Sequence, residues 1–106
     1  MKITAKRNDK IVNEGRVFSY VHHDGGVASL VKILCETDFV AKSEEFMGLG
    51  KEISMQVASM EPKNIKTLLK QAYIRDSRQT IADLLAAVSL QVKEKIEIKE
   101  IARMNV

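Results

Sequence analysis

A carboxylate and an aromatic ring stand side by side at Asp38 and Phe39, between a strongly apolar run and a helix-like pattern. Two readings fit this pair. In the first, Phe39 folds under the following helix as core and Asp38 supports the turn; spacing alone favours it. In the second, the ring anchors in a partner's pocket and the carboxylate acts on a group nearby. Other reactive side chains offer less. His22 and His23 are adjacent on a strand-like segment, so they point to opposite sides and cannot share one metal without further ligands. Cys35, the single cysteine, ends an apolar run and reads as a buried, inert thiol. No GxxxxGK[ST], GxGxxG or CxxC pattern occurs, no serine has a nucleophile-elbow context, and most carboxylates fall on helix exteriors. These residues predict neither an enzyme nor a metal or cofactor site.

The composition narrows the class further. At 106 residues, with 45% hydrophobic and 29% charged positions, the chain reads as a single folded domain over residues 1–106. Its formal charge of +3 comes from lysines and arginines scattered among acids. A nucleic-acid binder would cluster them on one face with stacking aromatics, so no direct nucleic-acid contact is expected. No apolar run is long enough for a membrane span, the N-terminus has no signal-peptide block, and one cysteine suits a reducing compartment. The expected location is the cytoplasm.

The elements that would position Asp38 and Phe39 follow from local patterns. Residues 3–13 predict a short helix stopped by Gly15. Residues 16–22 and 27–35 have strand composition, and Asp-Gly within His23-Asp24-Gly25-Gly26 between them predicts a hairpin, since a type I′ turn needs positive φ at its central residues. Ser43 is an N-cap, Glu44 and Glu45 suit the first turn of a helix, and Phe46, Leu49, Ile53, Val57 and Met60 form one apolar stripe. Gly48 and Gly50 within that helix either admit a close neighbour or leave it soft. Pro62 separates it from a short helix over residues 64–70. Residues 71–78 read as a linker, and Thr80 with Asp83 as a capping box opening a helix through Ile81, Leu84, Leu85, Val88 and Val92. Residues 95–99 alternate with period two and the phase slips after them, predicting a strand with a bulge near Lys99-Glu100. The expected architecture is α+β: a three-stranded antiparallel sheet, hairpin plus C-terminal strand, covered by helices.

Cys35-Glu36-Thr37-Asp38-Phe39-Val40-Ala41-Lys42 followed by Glu45-Phe46 resembles the signature of elongation factor Ts, the exchange factor for the GTPase elongation factor Tu. The similarity runs from about Ala5 to the C-terminus through Glu14-Gly15, Tyr20-Val21-His22, Met55, Ala58, Pro62, Leu68-Leu69-Lys70-Gln71, Tyr73-Ile74-Arg75-Asp76, Thr80, Leu84-Leu85 and Ile96-Glu97-Ile98. The resemblance implies the fold of that family's core, or dimerisation, domain.

It also implies a function. In that family the Asp-Phe pair enters between helices of the GTPase domain near its magnesium, so Phe39 would be the wedge and Asp38 its polar partner, with Thr37 and Val40 shaping the turn. The implied activity is guanine-nucleotide exchange by binding elongation factor Tu and promoting GDP release, without covalent chemistry. The alternative is a homologue that docks on the GTPase, or on an assembly containing it, without exchange. Family members usually begin with a small three-helix domain resembling ubiquitin-binding modules, whereas this chain is expected to start at the core. That departure favours the alternative; the intact Thr37-Asp38-Phe39-Val40 favours exchange. Further departures are Lys32 and Leu34 in the second strand, Gly48, Gly50, Ala72, and Lys93-Glu94-Lys95 in place of a Gly-Glu-Asn-like turn. A single core copy, where some members carry two, implies a homodimer paired through the sheets.

Overall fold

The computed structural model describes residues 10–106, so most of the helix expected over residues 3–13 lies outside the described residues. Its last positions, 11–13, carry no helix, and the chain enters directly into strand β1, Glu14–Val21. Gly15 lies within that strand rather than ending a helix. Its φ of 154° and its closeness to the neighbouring strand exclude a side chain: a Cβ would stand 2.2 Å from the Ile33 carbonyl oxygen.

Strand β2, Val27–Cys35, pairs antiparallel with β1 in a register running from Glu14 opposite Cys35 to Val21 opposite Ala28. The hairpin is as expected, but its turn is not of type I′. The His22 amide donates to the Val27 carbonyl, the Gly25 amide donates to the His22 carbonyl, and Gly25 takes the left-handed conformation at φ 75°. Asp24 stays at negative φ while its carboxylate accepts from the Gly26 amide, so the side chain organises the loop instead of a type I′ turn.

Strand β5, Glu97–Asn105, pairs antiparallel with the other edge of β2, giving the sheet order β1-β2-β5. Lys32 faces Glu100 while the next residue, Ile33, faces Ile98, which leaves Lys99 as the bulged residue. That extra residue lets Ile98 and Ile101 both face inward, opposite Ile33 and Val31.

The connection after β2 is itself helical: α1, Asp38–Ala41, precedes the long helix α2, Glu44–Met60. Ser43 caps α2 through its hydroxyl, which accepts from the Phe46 amide, and Glu61 ends it in the left-handed conformation at φ 50° before Pro62. The apolar stripe of α2 covers the inner face of the sheet, burying Phe46, Leu49, Ile53 and Val57 against Phe18, Val31 and Ile33. Gly50 admits the Phe18 ring, whose atoms lie 2.3 Å from where a Cβ would be, whereas the space around Gly48 is open.

Helix α3, Ile65–Lys70, capped by Asn64, leads into a small hairpin that the sequence reading treats as linker. Strands β3, Ala72–Tyr73, and β4, Asp76–Thr80, form a separate two-stranded sheet. Fully buried Gln56 holds it to α2: its amide donates to Gln71 Oε1 and the Ala72 carbonyl, and its oxygen accepts from the Ile74 amide. Helix α4, Ile81–Val92, opens with the expected capping box of Thr80 and Asp83. It ends at Lys93, a non-glycine residue in the left-handed conformation at φ 62°.

Candidate functional site

Thr37 makes the turn. Its hydroxyl accepts from the Val40 amide and so caps α1, while its extended backbone sets the direction in which the next residues leave the sheet. Val40 and Ala41 turn inward into the core, which points Asp38 and Phe39 outward. Phe39 is 81% exposed, so the core reading favoured by spacing is wrong. One helical turn places neighbouring residues about 100° apart, and burying Val40 and Ala41 leaves Phe39 on the solvent side. Asp38 is exposed beside it.

The base of the turn is polar and sequence-distant. Glu94, in the loop between α4 and β5, is only 9% exposed, and its carboxylate accepts from the Glu36 amide at 3.0 Å, the Thr37 amide at 3.1 Å and the Thr37 hydroxyl at 2.7 Å. Glu36 answers in the other direction, accepting from the Lys95 amide at 2.5 Å. The loop carrying Glu94 is held by the end of α4: the Ser89 hydroxyl donates to the Glu94 carbonyl and the Glu94 amide donates to the Ser89 carbonyl. Sequence reasoning named Glu94 only within Lys93-Glu94-Lys95, as a departure from a Gly-Glu-Asn-like turn, and gave it no role. The local signal is a carboxylate between a helix end and the apolar Ile96, and its partners lie 57 and 58 residues away.

Cys35 completes the base, its thiol donating to the Thr37 carbonyl at 3.2 Å. Burial first, and then the nearby Glu94 carboxylate, pushes the thiol up to about 11. A thiol so raised stays protonated near neutral pH and is a poor nucleophile, in line with the inert reading.

His22 and His23 are not on opposite sides of a strand. Strand β1 stops at Val21, and in the loop their ring centroids lie 4.3 Å apart, with His22 Nδ1 2.8 Å from the Tyr20 hydroxyl. Among the described residues no group of three or more His, Cys, Asp or Glu is arranged to hold a metal. A second polar cluster joins α2 to the β3-β4 hairpin, where Tyr73 donates to Glu52 Oε1 at 2.6 Å and Arg75 Nε donates to the same oxygen at 2.8 Å. Burial and the Glu52 carboxylate push the Tyr73 phenol up to about 12. This cluster fixes the small hairpin.

The outer face of the three-stranded sheet is the other feature open to solvent. Val21, Ala28 and Met104 form one cross-strand row, Ser19, Leu30 and Ala102 the next, and Val17, Lys32 and Glu100 a third. Val17, Val21, Leu30 and Met104 are exposed there, and Lys32 Nζ pairs with Glu100 Oε1 at 3.1 Å. No helix among the described residues is long and apolar enough to cross a membrane.

The class the fold defines is a small α+β unit, a three-stranded antiparallel sheet covered by helices, with an exposed aromatic on a turn tied from below. Residues 36–106, which include both the turn and Glu94, match the Elongation factor TS family. The chain belongs to that family. It is similar to elongation factor Ts of Clostridium tetani, 33% identical over 102 residues that cover 96% of this chain and 34% of the relative. Elongation factor Ts of Petrotoga mobilis is 51% identical over 59 residues, covering 56% of this chain and 30% of the relative. That of Caldanaerobacter subterraneus subsp. tengcongensis is 32% identical over 146 residues, covering 95% and 73%. The chain thus spans about a third of the length of the Clostridium tetani relative.

Proposed function

We propose that the chain acts in translation as a guanine-nucleotide exchange factor, binding elongation factor Tu and promoting GDP release through the turn Thr37-Asp38-Phe39-Val40. The supporting observation is that Phe39 is 81% exposed on a turn whose backbone is fixed from below. A large apolar ring left in water on an ordered support costs little further ordering entropy when it enters a pocket, which is what an anchor requires. Asp38, exposed beside it, brings a carboxylate with it.

The thermodynamics is linkage. A protein that binds the nucleotide-free GTPase more tightly than its GDP form must weaken GDP binding by the same factor. Magnesium bridges nucleotide phosphates to protein side chains, so a wedge that disturbs its surroundings removes a large local charge interaction. No bond of this chain is made or broken in that scheme, and the activity is not enzymatic.

We further propose that the working form is a homodimer joined through the outer sheet face. The apolar rows there end at the Lys32–Glu100 pair, whose opposite charges cancel. A second copy of the same face therefore meets no net charge, and pairing removes Val21, Leu30 and Met104 from water.

The test of exchange is the release rate of a fluorescent GDP from elongation factor Tu in stopped flow. Release accelerates with the concentration of this chain, and Phe39→Ala removes the acceleration while leaving the fold cooperative. Binding without acceleration would instead make the chain a docking homologue.

A further inference from the structure

We propose that Glu94 is the positioning residue for the Phe39 wedge, a role that rests on the exchange reading above. Three donors converge on its carboxylate, and they belong to the two residues that immediately precede α1. The Thr37 hydroxyl has a double task. It donates its proton to Glu94 Oε2 and accepts from the Val40 amide, so its rotamer is set from both sides. Glu94 thereby orients the cap, the cap orients α1, and α1 carries Asp38 and Phe39. A carboxylate 9% exposed is costly to bury, and three converging donors are what compensates it.

The support extends backwards from Glu94. Ser89 holds both backbone groups of Glu94, and Glu36 holds the Lys95 amide, so the loop after α4 and the turn before α1 grip each other in both directions. Phe39 itself makes no aromatic contact among the described residues, and the Asp38 side chain makes no hydrogen bond there. The direction of the wedge is therefore set from Thr37 downwards and by the inward anchors Val40 and Ala41. Glu94 touches neither nucleotide nor GTPase in this scheme; it acts through Thr37.

The test uses Glu94→Ala and Glu94→Gln in the wild-type chain and in Phe39→Ala. In the chain alone, amide hydrogen exchange of Glu36 and Thr37 rises about tenfold or more in Glu94→Ala, as expected for losing hydrogen bonds to a charged group, while amides in the middle of α2 are unchanged. The Phe39 ring and backbone resonances shift with it. Glu94→Gln, which keeps an oxygen for the two amides, falls between wild type and Glu94→Ala; it carries the test if Glu94→Ala does not fold. In GDP release, Glu94→Ala slows the stimulated rate about tenfold in the wild-type background and adds nothing to Phe39→Ala, because both act through one element. Unchanged Phe39 resonances, a uniform rise in exchange across all amides, or equal losses in both backgrounds would overturn the inference. If the wild-type chain does not accelerate GDP release, the exchange reading fails by itself, and the Phe39 resonances and local amide exchange still decide whether Glu94 sets the wedge.

Discussion

Phe39 and the outer face of the sheet are both apolar surface left in water, yet they are built in opposite ways. Phe39 is a single ring on a turn tied through Thr37 to a carboxylate from a loop far along the chain. The sheet face is several modest side chains in cross-strand rows, held by the regular ladders of β1, β2 and β5. A wedge depends on direction, so its support is polar and specific. A flat face depends on area, so any substitution that keeps it apolar should be tolerated.

The largest effect should come from the wedge. Phe39→Ala should lower stimulated GDP release about 30-fold, the scale of losing a hot-spot anchor worth about 2 kcal/mol, with little change in melting temperature. A large fall in melting temperature would erase the distinction between wedge and core. Next, Gly50→Ala should cost about 2 kcal/mol in denaturant unfolding, because a methyl group must displace the Phe18 ring beneath the sheet. Gly48→Ala, with open space around it, should instead stabilise by about 1 kcal/mol. The pair separates a glycine required by packing from one that is not.

Leu30→Lys places a charge in the middle of the outer face and should weaken self-association about tenfold or more by sedimentation equilibrium, through like-charge juxtaposition across the two-fold. GDP release per bound chain should not change. A wild-type chain that stays monomeric at all concentrations would remove the homodimer reading and leave the wedge untouched.

The smallest effect is a pH dependence that should touch the turn and not the outer face. The Cys35 thiol is raised to about 11 in the folded chain from an ordinary value of 9.0, and the Tyr73 phenol to about 12 from 10.0. In each case the folded state holds its proton more tightly than the unfolded one. Their contribution is complete below about pH 9, the unfolded thiol value, and is lost as pH rises through the folded values. Stability should therefore decline from about pH 9 upwards. Cys35→Ala should flatten the first part of the decline and Tyr73→Phe the later part. Cys35 ionisation also removes the thiol proton donated to the Thr37 carbonyl, so local amide exchange at the turn should rise in the same range.

Local signals in the sequence were read correctly where the pattern itself spans only a few residues. The Ser43 and Thr80 caps and the Asp83 side of the capping box have both partners that close, and the bulge at Lys99 showed as a slip of period within its own strand although it pairs with distant β2. The β3-β4 hairpin was hidden because β3 is only two residues long and β4 is polar and charged without alternation, while the β3 side is held by Gln56 from α2. Gly15 looked like a helix stop because a glycine gives the same local signal whether it ends a helix or admits a neighbouring backbone. The site divides in the same way. Thr37, Asp38, Phe39 and Val40 stood out by type and resemblance, but nothing local told whether Phe39 points in or out.

The sequence alone determined the three strands of the main sheet, the α2 and α4 helices and their N-caps, and the turn as the place of interest, because hydrophobic period and capping chemistry act over one or two turns of chain. Only the tertiary structure decided that Phe39 faces solvent, that Gly50 is occupied by Phe18 and that Glu94 ties the turn. Those outcomes depend on which residues meet across 30 to 60 positions, and the physical cause is packing: Val40 and Ala41 took the inward places, and the buried Glu94 carboxylate required the donors that Glu36 and Thr37 supply.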